Sequence, residues 1–154
     1  LKTGKRVSAE SPSEDAVPYL LRQVAERLSR SLSEALKPFG QPANVYRVLI
    51  ALERRGSSLI GELAEATLID PSTLSRTVDR MEEEGLVKHG PDRADARAIV
   101  VEITEKGRRF FYDIMPVASA QYEWTIRGLS AKQLTQLQDT LKHMLANLKV
   151  SPVK

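Results

Sequence analysis

The stretch at residues 70–85, Asp-Pro-Ser-Thr-Leu-Ser-Arg-Thr-Val-Asp-Arg-Met-Glu-Glu-Glu-Gly, constrains this chain more than any other. It reads as one helix with both ends marked. Asp70 offers a carboxylate to the free N–H groups of a first turn, and Pro71 stands where a missing N–H costs nothing. Gly85 supplies a left-handed stop. Leu74, Val78 and Met81 recur at i, i+4 and i+7, which commits one stripe to a core. At about 100° per residue, Ser72 and Arg76 point away from that stripe. Thr73 and Arg80 lie on one flank of the exposed face, Ser75 and Asp79 on the other. Hydroxyls and guanidinium groups on an exposed first turn can reach base edges and phosphates in a DNA major groove. An ordinary solvated helix face has the same chemistry, so the flanking segments decide between the two readings.

Before this helix, residues 59–67 form a shorter one, with Leu63 and Ala64 facing inward. Leu59 sits where a cap is wanted and has no side-chain acceptor, which leaves Ser58 as the alternative. Leu68 and Ile69 make a short turn between the two helices, the pattern of a helix-turn-helix. After Gly85 the periodicity changes. Leu86-Val87-Lys88-His89 and residues 98–104, Ala-Ile-Val-Val-Glu-Ile-Thr, are β-rich runs separated by the turn-forming Gly-Pro-Asp-Arg-Ala-Asp-Ala-Arg. That is a β-hairpin wing with Arg93 and Arg97 in its loop. Lys88 and His89 are expected to face solvent. Asp79, a carboxylate close to the DNA-facing side, is expected to pair with Arg76, Arg80 or a wing arginine.

Helices flank this unit on both sides. Residues 16–36 carry an apolar series at Leu20, Leu21, Val24, Leu28, Leu32 and Leu36, ended by Lys37-Pro38-Phe39-Gly40. A second helix starts at Pro42, buries Val45, Val48, Leu49 and Leu52, and stops at Gly56. Thr104 caps a long helix running to about residue 127, which Pro116 is expected to kink or divide. Ser130 and Gln133 form a capping box for the last helix, where Leu134, Leu137, Leu141, Leu145 and Leu148 repeat at three- and four-residue steps. That row is long for one small domain to satisfy; the alternatives are an intramolecular bundle of the first and last helices and pairing with a second copy. The expected organisation is a flexible arm at 1–15, an N-terminal helical segment at 16–40, a winged helix-turn-helix at 41–104 and C-terminal helices at 105–150. The fold class is mainly α with a small β-wing.

Composition narrows the function. At 154 residues the chain is one domain with helical extensions. Aromatics make up 5%, too few for stacking on single-stranded nucleic acid as a main mode. The net charge is +3, yet residues 53–110 hold ten Lys or Arg against twelve Asp or Glu, a net of −2. Placement of charge, not bulk charge, must therefore carry a DNA reading. With no cysteine, disulfides, cysteine-ligated zinc, a thiol nucleophile and a thiol redox switch are excluded. No apolar run of about 18 residues and no apolar leader are present, so the expectation is a cytoplasmic chain with no membrane partner. Two separated histidines, His89 and His143, build neither a metal site nor a catalytic set, and Glu82, Glu83 and Glu84 are a solvated run. No enzyme, metal or cofactor is expected.

From about residue 28 to residue 148 the chain resembles the MarR family of winged helix-turn-helix transcription regulators. The likeness is carried by Glu62-Leu63-Ala64, Ser72-Thr73-Leu74-Ser75-Arg76, Val78-Asp79-Arg80-Met81 and Glu84-Gly85-Leu86-Val87. The wing adds Asp95-Ala96-Arg97, the β-run to Thr104, and Glu105-Lys106-Gly107. The resemblance implies a triangular homodimer whose terminal helices interlock, binding double-stranded DNA at a pseudo-palindromic operator with half-sites roughly 10 bp apart. It implies Ser72, Thr73, Ser75, Arg76 and Arg80 near the major groove, Arg97 in the minor groove oriented by Asp95, and Arg93 near the backbone. It also implies an effector pocket near Phe39, Tyr46 and Tyr112, suited to a small aromatic or phenolic ligand. The competing function is a dimeric winged-helix scaffold that binds protein and no specific DNA.

Overall fold

The computed structural model describes residues 16–92, 95 and 97–149; the expected arm at 1–15 and Arg93 lie outside the described residues. The order of elements is α1 (Val17–Leu36), a 3-10 turn at Lys37–Phe39, α2 (Ala43–Arg55), β1 (Ser57–Leu59), α3 (Ile60–Thr67), α4 (Pro71–Glu83), β2 (Val87–Pro91), β3 (Ile99–Ile103), α5 (Glu105–Thr125) and α6 (Ala131–Lys149). Each expected helix is present. The wing is larger than a hairpin: β3 pairs antiparallel with β2 on one side, His89 opposite Val101, and with β1 on the other, Ser58 opposite Val101. β1 is a three-residue Ser-Ser-Leu segment with too little length for alternation to show, so it is a strand only because β3 pairs with it.

One core runs through the winged unit. Val45, Val48, Leu49 and Leu52 from α2, Leu63 from α3, Leu74, Val78 and Met81 from α4, and Val101 from β3 are all sealed from solvent. Burial of each such side chain is worth roughly 1.5–3 kcal/mol, so α2 is the spine against which the helix-turn-helix and the sheet are set. The α3–α4 turn is made by Leu68, which takes a left-handed φ of 54° and stays exposed, while Ile69 is buried. The α3 cap is a half-box: the Leu59 N–H donates to Glu62 Oε2 (3.1 Å) and Ser58 Oγ donates to the same carboxylate (2.9 Å).

The junction between wing and α5 is the tightest place in the fold. Thr104 Oγ1 donates toward Gly85 O (2.7 Å) and accepts from the Gly107 N–H (3.0 Å). A Cβ on Gly107 would meet Leu86 O at 1.9 Å, so only glycine lets α5 start against this strand. From there α5 packs along α1 and α2, and Glu53 holds it by accepting from Arg108 Nη1 (2.5 Å) and from Tyr112 Oη (2.8 Å). Pro116 neither ends nor divides α5, which continues as one helix to Thr125. The Ser130–Gln133 capping box is formed as expected.

α6 differs from every other helix. None of its residues with a described side chain is buried. Leu137, Leu145 and Leu148 are 46%, 60% and 70% exposed. The intramolecular bundle of first and last helices is not what forms: α1 packs on α5, and α6 has no comparable contact with α1.

Candidate nucleic-acid interface and effector cleft

Local chemistry sets the first turn of α4. Asp70 Oδ1 accepts from the Thr73 N–H (2.9 Å) and from Ser72 Oγ (2.7 Å). Bonds from Thr73 and Ser72 hold its carboxyl down at about 2. The cap aims the free N–H groups and the positive end of the helix dipole outward, where an anion is favoured. Beyond it, Ser75 and Arg76 are exposed, and Arg76 forms no ion pair among the described residues. Thr73 is half-buried.

The second half of α4 is turned inward chemically. Arg80 Nε donates to Glu84 Oε1 (2.9 Å) and Arg80 Nη2 to Gly40 O (3.2 Å), which ties the helix to the α1–α2 connection. Gln41 donates to the other oxygen of Glu84, and Lys106 Nζ donates to Glu84 O (2.6 Å). Among the described residues Asp79 pairs with no arginine: its Oδ1 lies 3.7 Å from His89 Nε2. Glu82 Oε1 accepts the His89 backbone N–H (2.8 Å), and its Oε2 lies 3.2 Å from His89 Nδ1. His89 is therefore not a solvent-facing strand position. Its backbone N–H ties β2 to Glu82 of α4, and its ring stands between two carboxylates. The signal was available in the period of the strand: Val87 is buried, and a side chain two residues on shares its face. Lys88, on the opposite face, is exposed and pairs with Glu102 (2.7 Å), its neighbour across the strands.

Arg97 is exposed at the base of the wing loop, just before β3. Asp95 does not reach its guanidinium. Asp95 Oδ1 accepts the Arg97 backbone N–H (2.9 Å), and Asp92 Oδ1 accepts the Asp95 N–H (3.0 Å). These two carboxylates shape the turn, because the segment is a loop here and not the extended strand that would put residues 95 and 97 side by side.

The three aromatic residues expected around an effector are not brought together. Phe39 packs edge-on to Phe110 with centroids 6.4 Å apart, and exposed Tyr112 gives its hydroxyl to Glu53. That bond pushes the Tyr112 phenol up from its ordinary value. Of the three, Tyr46 lines the cleft between α1, α2 and α5. It stacks on Phe111 at 6.0 Å, and the cleft, of about 680 Å³, has Leu28, Leu32, Ile50, Ala118 and Tyr122 as further walls. Burial raises the Tyr46 phenol pKa, and Arg54 opposes the shift. Arg47 Nη2 donates to Ser29 Oγ (3.1 Å) at the edge of the same cleft. Sequence reasoning missed this arginine because α2 was read for its core face alone. No group of acidic or histidine side chains with metal-binding geometry, and no helix long and apolar enough to cross a membrane, occurs among the described residues.

Comparison with known proteins agrees with this architecture. A family model described as MarR family matches residues 39–98. The HTH-type transcriptional repressor IacR of Pseudomonas putida is 30% identical over 141 residues, covering 92% of this chain and 84% of the relative. The repressor NicR of Pseudomonas putida is 28% identical over 149 residues, covering 92% and 94%. Among solved structures, a MarR family transcriptional regulator from Silicibacter pomeroyi superposes with a TM-score of 0.80 at 27% identity, covering 91% of this chain and 94% of that one.

Proposed function

The chain belongs to the MarR family of DNA-binding transcriptional regulators, and from that premise we propose that it acts as a homodimeric repressor on a pseudo-palindromic operator, released by a small aromatic or phenolic effector. One observation carries the DNA reading. The capped N-terminal half of α4 presents Ser75 and Arg76 to solvent with no internal partner described for Arg76, while in its C-terminal half Glu84 pairs with Arg80, and Asp79 and Glu82 stand against His89.

In this reading Arg76 takes guanine or phosphate with its planar fork, Ser72, Thr73 and Ser75 approach the same groove, and Arg97 enters the adjacent minor groove. Asp95 supports Arg97 through the backbone, and Arg93 contacts the sugar-phosphate chain. Arg80 braces α4 from behind. The second copy is supported by α6: an apolar row with exposed Leu137, Leu145 and Leu148 has no cover among the described residues of its own chain. Pairing two such helices would set the spacing of two copies of α4 at one turn of DNA. The cleft beside Tyr46 lies between α1 and α5 on one side and α2, the spine of the winged unit, on the other. A ligand there favours one setting of the winged unit relative to the helices, and so one operator affinity over another.

The test is binding of the protein to duplexes from the DNA flanking its own gene, measured over a salt series. A steep fall of affinity with salt, and protection of a symmetric site, is expected. Binding to no duplex at low salt would favour the protein-scaffold reading.

A further inference from the structure

Five of the described residues take a left-handed φ, and four of them are glycines: Gly40, Gly56, Gly85 and Gly128. The fifth is Leu68, at φ 54° between α3 and α4. A Cβ crowds the backbone in that conformation, a strain that glycine escapes. The turn itself asks for no side chain here. The Leu68 N–H donates to Ala64 O (2.9 Å), a bond that any residue but proline can make, and it is the next residue, Ile69, that enters the core. The leucine side chain returns nothing among the described residues: it is 87% exposed, more than any other large apolar side chain described. Backbone strain at a side chain that its own fold does not use points to a contact made outside the chain.

The place of Leu68 says what that contact is. It stands two residues before Asp70, the cap of α4, so the two Cα atoms lie within about 7 Å of each other. Asp70, Pro71 and Ser72 are exposed along with it. Asp70 spends its carboxylate on Thr73 and Ser72, which leaves Leu68 and Pro71 as the apolar parts of one knuckle at the end of α4 that carries Ser72, Ser75 and Arg76. A helix whose first turns enter a groove crosses the rim of that groove with the turn before them. The rim is a sugar-phosphate strand, and its apolar part is the deoxyribose. We propose that Leu68 packs on a deoxyribose of the strand bordering the groove that α4 enters, a positioning contact that sets how the helix is seated. The inference rests on the DNA reading above and adds to it a contact that charge does not supply.

The parent chain and its Leu68→Gly, Leu68→Asn and Leu68→Met variants are compared on the duplex that the parent protects, over the same salt series, with a thermal melt of each protein. Glycine and asparagine suit a left-handed φ, so both variants are expected to melt no earlier than the parent and yet to bind the duplex about tenfold more weakly. Leu68→Met, which keeps an apolar side chain of similar size, is expected to bind as the parent does. An apolar contact releases no counterions, so the dependence of log affinity on log salt is expected to keep its slope in every variant. The loss is also expected to persist on a duplex with uracil in place of thymine. The proposal is overturned if Leu68→Gly and Leu68→Asn keep full affinity, or if their weaker binding comes with an earlier melt, which would assign Leu68 to the fold. It is overturned by a shallower salt slope, which would mean lost phosphate contacts, and by a loss that disappears on the uracil duplex, which would mean a thymine methyl. A Leu68→Gly chain that keeps DNA affinity but dissociates on dilution would place Leu68 between copies and overturns it as well. A parent that binds no duplex refutes the DNA reading and this contact together, whereas a parent that binds with unaffected variants refutes this contact alone.

Discussion

α4 and α6 are both amphipathic helices, and the chain treats them in opposite ways. The apolar stripe of α4, Leu74, Val78 and Met81, is sealed against α2, while the leucine row of α6 stands mostly in solvent. One helix is completed by its own domain, the other is not. The difference teaches where this chain is self-sufficient. The winged unit carries its own core and its own cap, whereas α6 needs apolar surface from elsewhere. In the proposed reading, fixed geometry belongs to the part that would read DNA, and dependence on concentration belongs to the part that would join copies.

The comparison can be broken most severely at the wing–α5 junction. Gly107→Ala places a methyl group into the Leu86 carbonyl and is expected to cost about 3 kcal/mol or more, read as loss of the cooperative chemical unfolding transition or of soluble protein. Next, Leu74→Ala is expected to lose about 2–5 kcal/mol at every protein concentration. Leu145→Ala should leave unfolding at low concentration unchanged and instead weaken self-association, measured by sedimentation over a dilution series. Equal, concentration-independent losses in both variants would erase the distinction between the two helices. Arg76→Ala and Arg97→Ala should each cost about 1–3 kcal/mol of operator affinity without changing the melting temperature; unchanged affinity in both would remove α4 and the wing as DNA probes. The smallest effect is at the α4 cap. Asp70 is held well below its ordinary 3.8 by its bonds to Thr73 and Ser72, so its contribution is fully present above about pH 4 and fades as pH falls toward 2. Asp70→Ala should therefore melt earlier than the parent at pH 7, with the gap narrowing in melts at pH 3 and below.

Much of this was legible in the residues. Asp70, Pro71 and Gly85 mark the ends of α4 by chemistry that acts within one turn, and the Ser130–Gln133 box marks the start of α6 in the same way. Positions that depend on a partner from elsewhere in the chain were not legible. β1 has no pattern of its own and exists through β3. Asp79 is expected to meet Arg76, Arg80 or a wing arginine, yet the sheet brings His89 against it. Asp95 is expected to orient the Arg97 side chain, and the loop gives its carboxylate to the Arg97 backbone N–H instead. Phe39, Tyr46 and Tyr112 share aromatic character but face different neighbours, and only Tyr46 reaches the cleft.

What the sequence by itself determined was the order and type of the elements, the ends of the helices and the stripes that must be buried. These follow from caps, glycine φ values and periodicity, which are interactions among residues a few positions apart. Tertiary structure alone decided which α4 acids meet His89 of β2 and where the cleft opens between α1, α2 and α5. Those outcomes depend on side chains of separate elements arriving at the same place, which is set by distance in space, not by spacing along the chain.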